Sequence, residues 1–506
     1  MQKDILLIAL FPPGSKLENE GLGRYLEALI ASSKTFAVGR ENAKIFLHVA
    51  PWHETWARRV VSGTPVSIMI QNQFTLTSLI LSAWSLRRIS IATPQLLQVK
   101  SRPEEKNNAT LCNWSGRKTM KQVVDPNSKI LRGKVAISLL STFWIKIRAR
   151  CNSEALKMKY FASKVLNKND YSHKIFDKLF RRYCISYLKK LGTKNILVLL
   201  HNRIPVPNSK NVILFVPDLI PLEFSELFSS ESKRWDNLAR EIRDNCERAE
   251  KWITFSDYTA SYAQQKQITS AEHQIKVIRH ASKPPGLKLH ESLTQDGKEN
   301  MEPPLECWWE SGQSRIFPTN FRDHAFVDSL EYVFYPSQYR PHKEIEGLIL
   351  LWPKITAEFP NLKLVLTVDP VHNPKIQKMV DEANLELVIL FLPSLSEREL
   401  IAWMARSTIM LSFSRAEGAM PFMVSEAMEV KVPFLIRDLE VSREILPKDV
   451  QGVSFFNDDS AADVIITSLN KLEQLLNFQL NWYQEYSRTW TEVWEELMQT
   501  LEDFSD

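Results

Sequence analysis

The sequence predicts an α/β protein with two successive parallel sheets. Short aliphatic runs alternate with helical patterns, the alternation breaks once in a polar stretch rich in Pro and Gly, and it then restarts. At 506 residues and 44% hydrophobic, the chain is long enough to bury more than one core.

In the first half the expected strands are Ile5 to Leu10, Lys44 to Val49, Asn195 to Leu200, Asn211 to Val216, Trp252 to Phe255 and Gln274 to Ile278. In the second half they are Tyr332 to Tyr335, Leu362 to Val368, Leu385 to Leu392, Ser407 to Phe413, Val432 to Ile436 and Gly452 to Phe456. A helix is expected over His342 to Phe359, where Ile345, Leu348, Leu351, Trp352 and Ile355 fall mostly at three- and four-residue steps. Ser396 with Glu399 forms a capping-box pattern before Leu400, Ile401, Trp403 and Met404. The tail from Leu480 to Phe504 reads as helical and aromatic, packing on another surface. The expected layout is a first domain over 1–285 with a basic insertion at about 100–194, a linker over 286–330, a second domain over 331–480 and a C-terminal helix over 481–506.

The five cysteines are scattered without a CxxC pair, which argues against a disulfide framework or a zinc site and fits a reducing compartment. The tripeptides at Asn108 and Asn113 match the glycosylation sequon but carry no weight without secretion. Ile5 to Phe11 is too short for a signal peptide or a membrane span, and Phe74 to Trp84 and Val135 to Ile145 fall far short of the roughly 20 residues a spanning helix needs. Any membrane contact is expected to be peripheral. The net charge of +5 hides a strongly basic segment, Lys100 to Lys194, with 23 Lys and Arg against 6 Asp and Glu. Interleaved with Phe143, Trp144, Tyr160, Phe161, Phe176, Phe180 and Tyr187, it suits an anionic membrane surface or an acidic acceptor as well as a solvated helical face; nucleic acid is the less favoured partner.

Ligands of open parallel sheets sit at the carboxyl ends of the strands, so chemistry is sought there. Ser412 to Met428 runs from a strand through a turn with Glu417-Gly418 into a helix, a geometry that aims backbone N–H groups and a positive dipole at an anion such as a diphosphate. Glu417 belongs to the turn and Glu426 to the helix, so the two can approach one ligand from different directions. Arg340 and Lys343, three residues apart at the start of the helix expected from His342, can converge on phosphate oxygens. Gly21 and Gly23 permit close backbone approach to a ligand or simply form a tight turn. Asp218 reads equally as an orienting carboxylate and as a turn aspartate, and His201 and His280 read as ordinary strand-end histidines. No His/Asp/Glu cluster has metal-ligand spacing, and no metal or other cofactor is expected.

The run Glu417-Gly418, Pro421, Glu426-Ala427-Met428 and Pro433 resembles the donor-site signature of the retaining glycosyltransferase family 4. Tyr335 to Lys343, Phe215 to Phe224, Ile253 to Tyr258, Val277 to His280 and Gly21 to Tyr25 are similar to further family segments in the expected order. The resemblance covers about 330–460 well and 1–30 and 195–285 more loosely. Eight residues separate Glu417 from Glu426, one more than is usual; Pro217 replaces a usual histidine and Lys431 a usual glycine.

The resemblance implies the GT-B fold, two Rossmann-like domains facing across a cleft, with the C-terminal helix returning to the first domain. It implies Arg340 and Lys343 on the donor diphosphate, Glu417 on the donor sugar, Asp218 orienting acceptor or sugar, and Glu426 on the ribose hydroxyls. Gly418, Ala419, Met420 and Ser337 would line the donor, and Gly21, Gly23 and Arg24 would form an acceptor or phosphate loop. The expected activity is hexose transfer from a nucleotide-sugar, leaning to GDP-mannose with UDP-hexoses open, to a glycan or lipid-linked acceptor of surface polysaccharide synthesis, in the cytoplasm or at a membrane face. A catalytically degenerate protein that binds membrane or nucleic acid through its basic segment is the competing reading.

Overall fold

The computed structural model describes residues 4–11, 21–33, 45–50, 53–70, 181–182, 184–185, 188, 191, 195–207, 211–227, 232–269, 273–282, 330–446, 455–457, 460–486 and 488–504. One compact unit, residues 1–11, 15–73 and 184–506, holds both sheets. The other, residues 12–14 and 74–183, lies outside the described residues apart from Arg181 and Arg182, and with it nearly all of the basic segment.

The first sheet consists of β1 (Ile5–Ala9), β2 (Ile45–Val49), β3 (Ser67–Ile70), β4 (Ile196–Leu199), β5 (Val212–Val216), β6 (Lys251–Thr254) and β7 (Gln274–Val277). Its order is β3-β2-β1-β4-β5-β6-β7, every neighbouring pair parallel. The second consists of β8 (Tyr332–Tyr335), β9 (Lys363–Leu366), β10 (Ile389–Phe391), β11 (Ile409–Ser412), β12 (Phe434–Arg437) and β13 (Phe455–Phe456), in the order β10-β9-β8-β11-β12-β13 and again all parallel. Strands covered on both faces need apolar side chains on both, which is why β1, β4, β5, β8, β11 and β12 are unbroken or nearly unbroken aliphatic and aromatic runs with every residue buried. At the sheet edge β7 alternates exposed and half-buried residues.

Several elements differ from expectation. β3 follows the Gly63 turn and is too short and peripheral to stand out from its surroundings. The run from Leu385 yields strand only at Ile389, because Asn384 is left-handed and Leu385 to Val388 form a turn. The helix expected from His342 starts at Ile345; Pro341–Lys343 form a short 3-10 turn and Glu344 is left-handed at φ 52°. The capping box at Ser396 and Glu399 forms as read. The C-terminal tail is helical in two pieces, Leu472–Glu485 and Trp490–Asp503, the second opened by its own capping box, Thr489 with Glu492.

These two helices serve different sheets. Gln479 of the first is buried and donates its amide to Phe434 O (2.7 Å) while accepting from Phe434 N (2.9 Å), so a side chain completes the β12 backbone. The second buries Val493, Trp494, Leu497, Met498 and Leu501 in the core of the first sheet, beside the helix Gly21–Ser32.

The helix Phe422–Glu429 ends with Lys431 at φ 55°, the residue that stands where a glycine is usual. A Cβ costs about 1–2 kcal/mol there. Replacing Lys431 with Gly is therefore expected to raise unfolding stability by about 1 kcal/mol in denaturant titrations.

Candidate active site

In each sheet the strand order reverses at a switch point, where the loops after two neighbouring strands diverge and leave a crevice. In the second sheet this lies between β8 and β11. The loop after β8 carries Ser337, Arg340 and Lys343; the loop after β11 carries Glu417 and Gly418. His342 O ties the two together, accepting from Arg415 N–H (2.7 Å) and from Ser414 Oγ (3.2 Å), while Tyr335 Oη at the end of β8 braces its own loop by donating to Lys343 O (2.9 Å). Arg415 also pairs with Glu344 (3.0 Å). Held this way, Lys343 Nζ lies 2.5 Å from Glu417 Oε1 in a half-buried ion pair.

Arg340 is exposed at the start of the 3-10 turn and reaches Gln338 Oε1 (3.3 Å). Arg340 and Lys343 both precede the left-handed Glu344 and the helix that starts at Ile345, and Lys343 is engaged by Glu417. Ser337 is buried; its hydroxyl donates to Gln338 O and its carbonyl accepts from Thr367 Oγ1 (3.0 Å). Asp218, at the end of β5, joins this group. Burial raises its carboxyl pKa and Glu417 raises it further, while the Ile220 N–H, Arg340 and Lys343 lower it. Four of the expected residues, Asp218, Arg340, Lys343 and Glu417, thus share one electrostatic field.

Glu426 sits on the helix Phe422–Glu429 with 3% exposure, and its carboxylate is ion-paired with Arg24. Arg24 also lies over the Phe422 ring (5.8 Å), one helical turn before Glu426. Gly21 and Gly23, expected in a loop before the first helix, instead form the first turn of Gly21–Ser32, because helical backbone there brings Arg24 to Glu426 and Tyr25 into the core.

The turn Glu417 to Met420 is docked on the lobe of the first sheet. Ser256 caps the helix Asp257–Gln265 by accepting from Thr259 N and donates its hydroxyl to Gly418 O (2.8 Å). His280, buried beside Phe422, has Nε2 2.8 Å from Met420 O and Nδ1 2.9 Å from Ala281 O. Ala419 packs on the first core, whereas Met420 is buried in the second. Only glycine fits at 418: an added Cβ would lie 2.3 Å from Pro217 O and 2.4 Å from Asp218 Cβ. The residue in place of the usual histidine is therefore a backbone contact for this turn.

Sequence reasoning missed Glu444. Its carboxylate accepts from Asp257 N (3.0 Å) and Tyr258 N at a helix N-terminus, where a negative charge is favoured, and faces Arg279 (3.6 Å). Nothing in the local sequence around Glu444 announces a partner more than 180 residues away. His201 is not poised for proton transfer: burial and Arg203 depress its pKa to about 3, and its Nδ1 accepts from Arg203 N (2.9 Å). Among the described residues no three His, Cys, Asp or Glu side chains gather as a metal site, and no helix is long and apolar enough to cross a membrane.

Residues 317–485, a third of the chain, match the family model described as glycosyl transferases group 1. No curated protein matches the sequence. Among solved structures, a variant of S. aureus TarM with fondaparinux, α-GlcNAc-glycerol and UDP is 12% identical over 99% of this chain and 100% of its own, with a TM-score of 0.55. Sucrose-phosphate synthase from Thermosynechococcus elongatus is 13% identical over 100% and 99%, TM-score 0.52. Anabaena HepE in complex with UDP-glucose is 11% identical over 99% and 100%, TM-score 0.50. The fold is GT-B, and residues 317–485 carry the match to a glycosyltransferase model.

Two outcomes are expected. Gly418→Ala pushes the turn off Pro217 and Asp218 and lowers stability by about 1–3 kcal/mol in chemical denaturation. Glu223, bonded to Tyr258 Oη, has its pKa raised by burial, then by Glu440 and Glu226, to about 7. The folded state then holds a proton that the unfolded state releases, so stability from this group is present below about pH 4.5 and is lost as pH rises to about 7. Thermal melts should show Glu223→Gln more stable relative to wild type at pH 8 than at pH 4.

Proposed function

We propose that the chain is a retaining glycosyltransferase that moves a hexose from a UDP-sugar, with GDP-mannose as the alternative donor, to a glycan or lipid-linked acceptor at the cytoplasmic face of a membrane. The observation that carries this is the gathering of Lys343, Arg340, Glu417 and Asp218 at the switch point of the second sheet, facing the first sheet's lobe. UDP is placed ahead of GDP because TarM was solved with UDP and HepE with UDP-glucose, whereas the mannose reading rests on the Asp218-Leu-Ile-Pro-Leu222 pattern alone.

In this reading the bond between the anomeric carbon and the β-phosphate oxygen breaks and its electron pair leaves with the diphosphate. Arg340 and Lys343 meet that growing negative charge, with no metal ion required, and preorganised charge at the leaving group is the largest expected contribution to rate. The acceptor oxygen attacks from the same face and its proton passes to the departing phosphate oxygen. Lys343 would exchange Glu417 for phosphate, freeing the Glu417 carboxylate for the sugar hydroxyls. Glu426 would accept from the ribose hydroxyls.

Calorimetric titration with UDP and GDP tests this. Wild type should bind UDP more tightly than GDP, and Arg340→Ala with Lys343→Ala should weaken binding about ten- to a hundredfold, as should Glu426→Ala. Absence of binding by either nucleotide would refute the donor site.

A further inference from the structure

Glu426 is buried to 3% exposure and ion-paired with Arg24 across the two lobes, so a ribose cannot reach it as it stands. The same helix and the turn before it are held from the same side by Ser256 on Gly418 O and His280 on Met420 O. The carboxylate read as the donor's is thus taken by the chain's own guanidinium. A buried carboxylate stripped of its cation is strongly unfavourable, so Arg24 stabilises Glu426 where it lies. A ribose diol offers the same carboxylate two hydroxyl donors.

We infer that Arg24 is an affinity-setting residue for the donor: it and the ribose diol compete for Glu426, and the nucleotide binds by displacing the guanidinium. This rests on the donor-site reading above. Arg24 then acts against the nucleotide at the ribose, a role distinct from an acceptor or phosphate loop. The displaced guanidinium also leaves the carboxylate that ties it to the second lobe, so ribose binding loosens one of the contacts holding the lobes together.

The test is calorimetric titration of wild type, Arg24→Ala and Arg24→Lys with UDP and with 2′,3′-dideoxy-UDP, each variant first checked for a cooperative melt. Arg24→Ala is expected to bind UDP about tenfold more tightly than wild type, because the ligand-free state loses a charged contact that the complex does not use. Arg24→Lys, which keeps the charge without the planar fork, should fall between and carries the test if the alanine variant fails to fold. The gain should vanish with the dideoxy nucleotide, which has no diol to offer Glu426. A purely structural role for Arg24 would not make a ligand bind tighter. If wild type binds UDP and neither variant binds it more tightly, or if the dideoxy nucleotide shows the same gain, competition at Glu426 is wrong and the donor site stands. If no form binds UDP or GDP, the donor reading falls and this inference with it.

Discussion

A buried carboxylate needs a cation or several hydrogen bonds, and Glu426 imposes that need on the arrangement of the site. Its helix belongs to the second sheet, and its partner Arg24 comes from the first helix of the chain. To bring the two together, Gly21 to Tyr25 must be helical, Phe422 must pack on the first core, and the Gly418 turn must lie flat against Pro217 and Asp218. Beside the apolar packing of Ala419 and Phe422, specific polar contacts join the lobes: a serine on a carbonyl, a histidine on a carbonyl and a glutamate on a helix N-terminus.

This arrangement pairs charges inside the site. Lys343 is matched by Glu417 and Glu426 by Arg24, so two of the charges proposed to touch the donor already have a partner within the chain. Binding is then an exchange of partners in which phosphate replaces Glu417 on Lys343 and the ribose replaces Arg24 on Glu426. Such exchange favours ligands that present both anion and diol, because either alone leaves one internal pair intact.

Much of this was legible in the sequence. Buried parallel strands admit few polar residues on either face, so β1, β4, β5 and β8 were read almost to the residue, and the strand-turn-helix around Glu417 followed from the same pattern. Local rules also found the Ser396 cap. What escaped was set by tertiary contact. Glycine spacing suggested a loop where Arg24 needed a helix; Lys431 keeps a left-handed turn that composition hides; and Glu444 caps a helix far away in sequence. The basic segment over 100–194, prominent in composition, lies almost wholly outside the described residues.

The most direct test is a crystal structure of the protein with UDP. The account predicts the diphosphate against Lys343 and Arg340, the ribose hydroxyls on Glu426, and Arg24 moved off that carboxylate. A nucleotide bound elsewhere, or one bound at this turn with the Arg24–Glu426 pair intact, would contradict it.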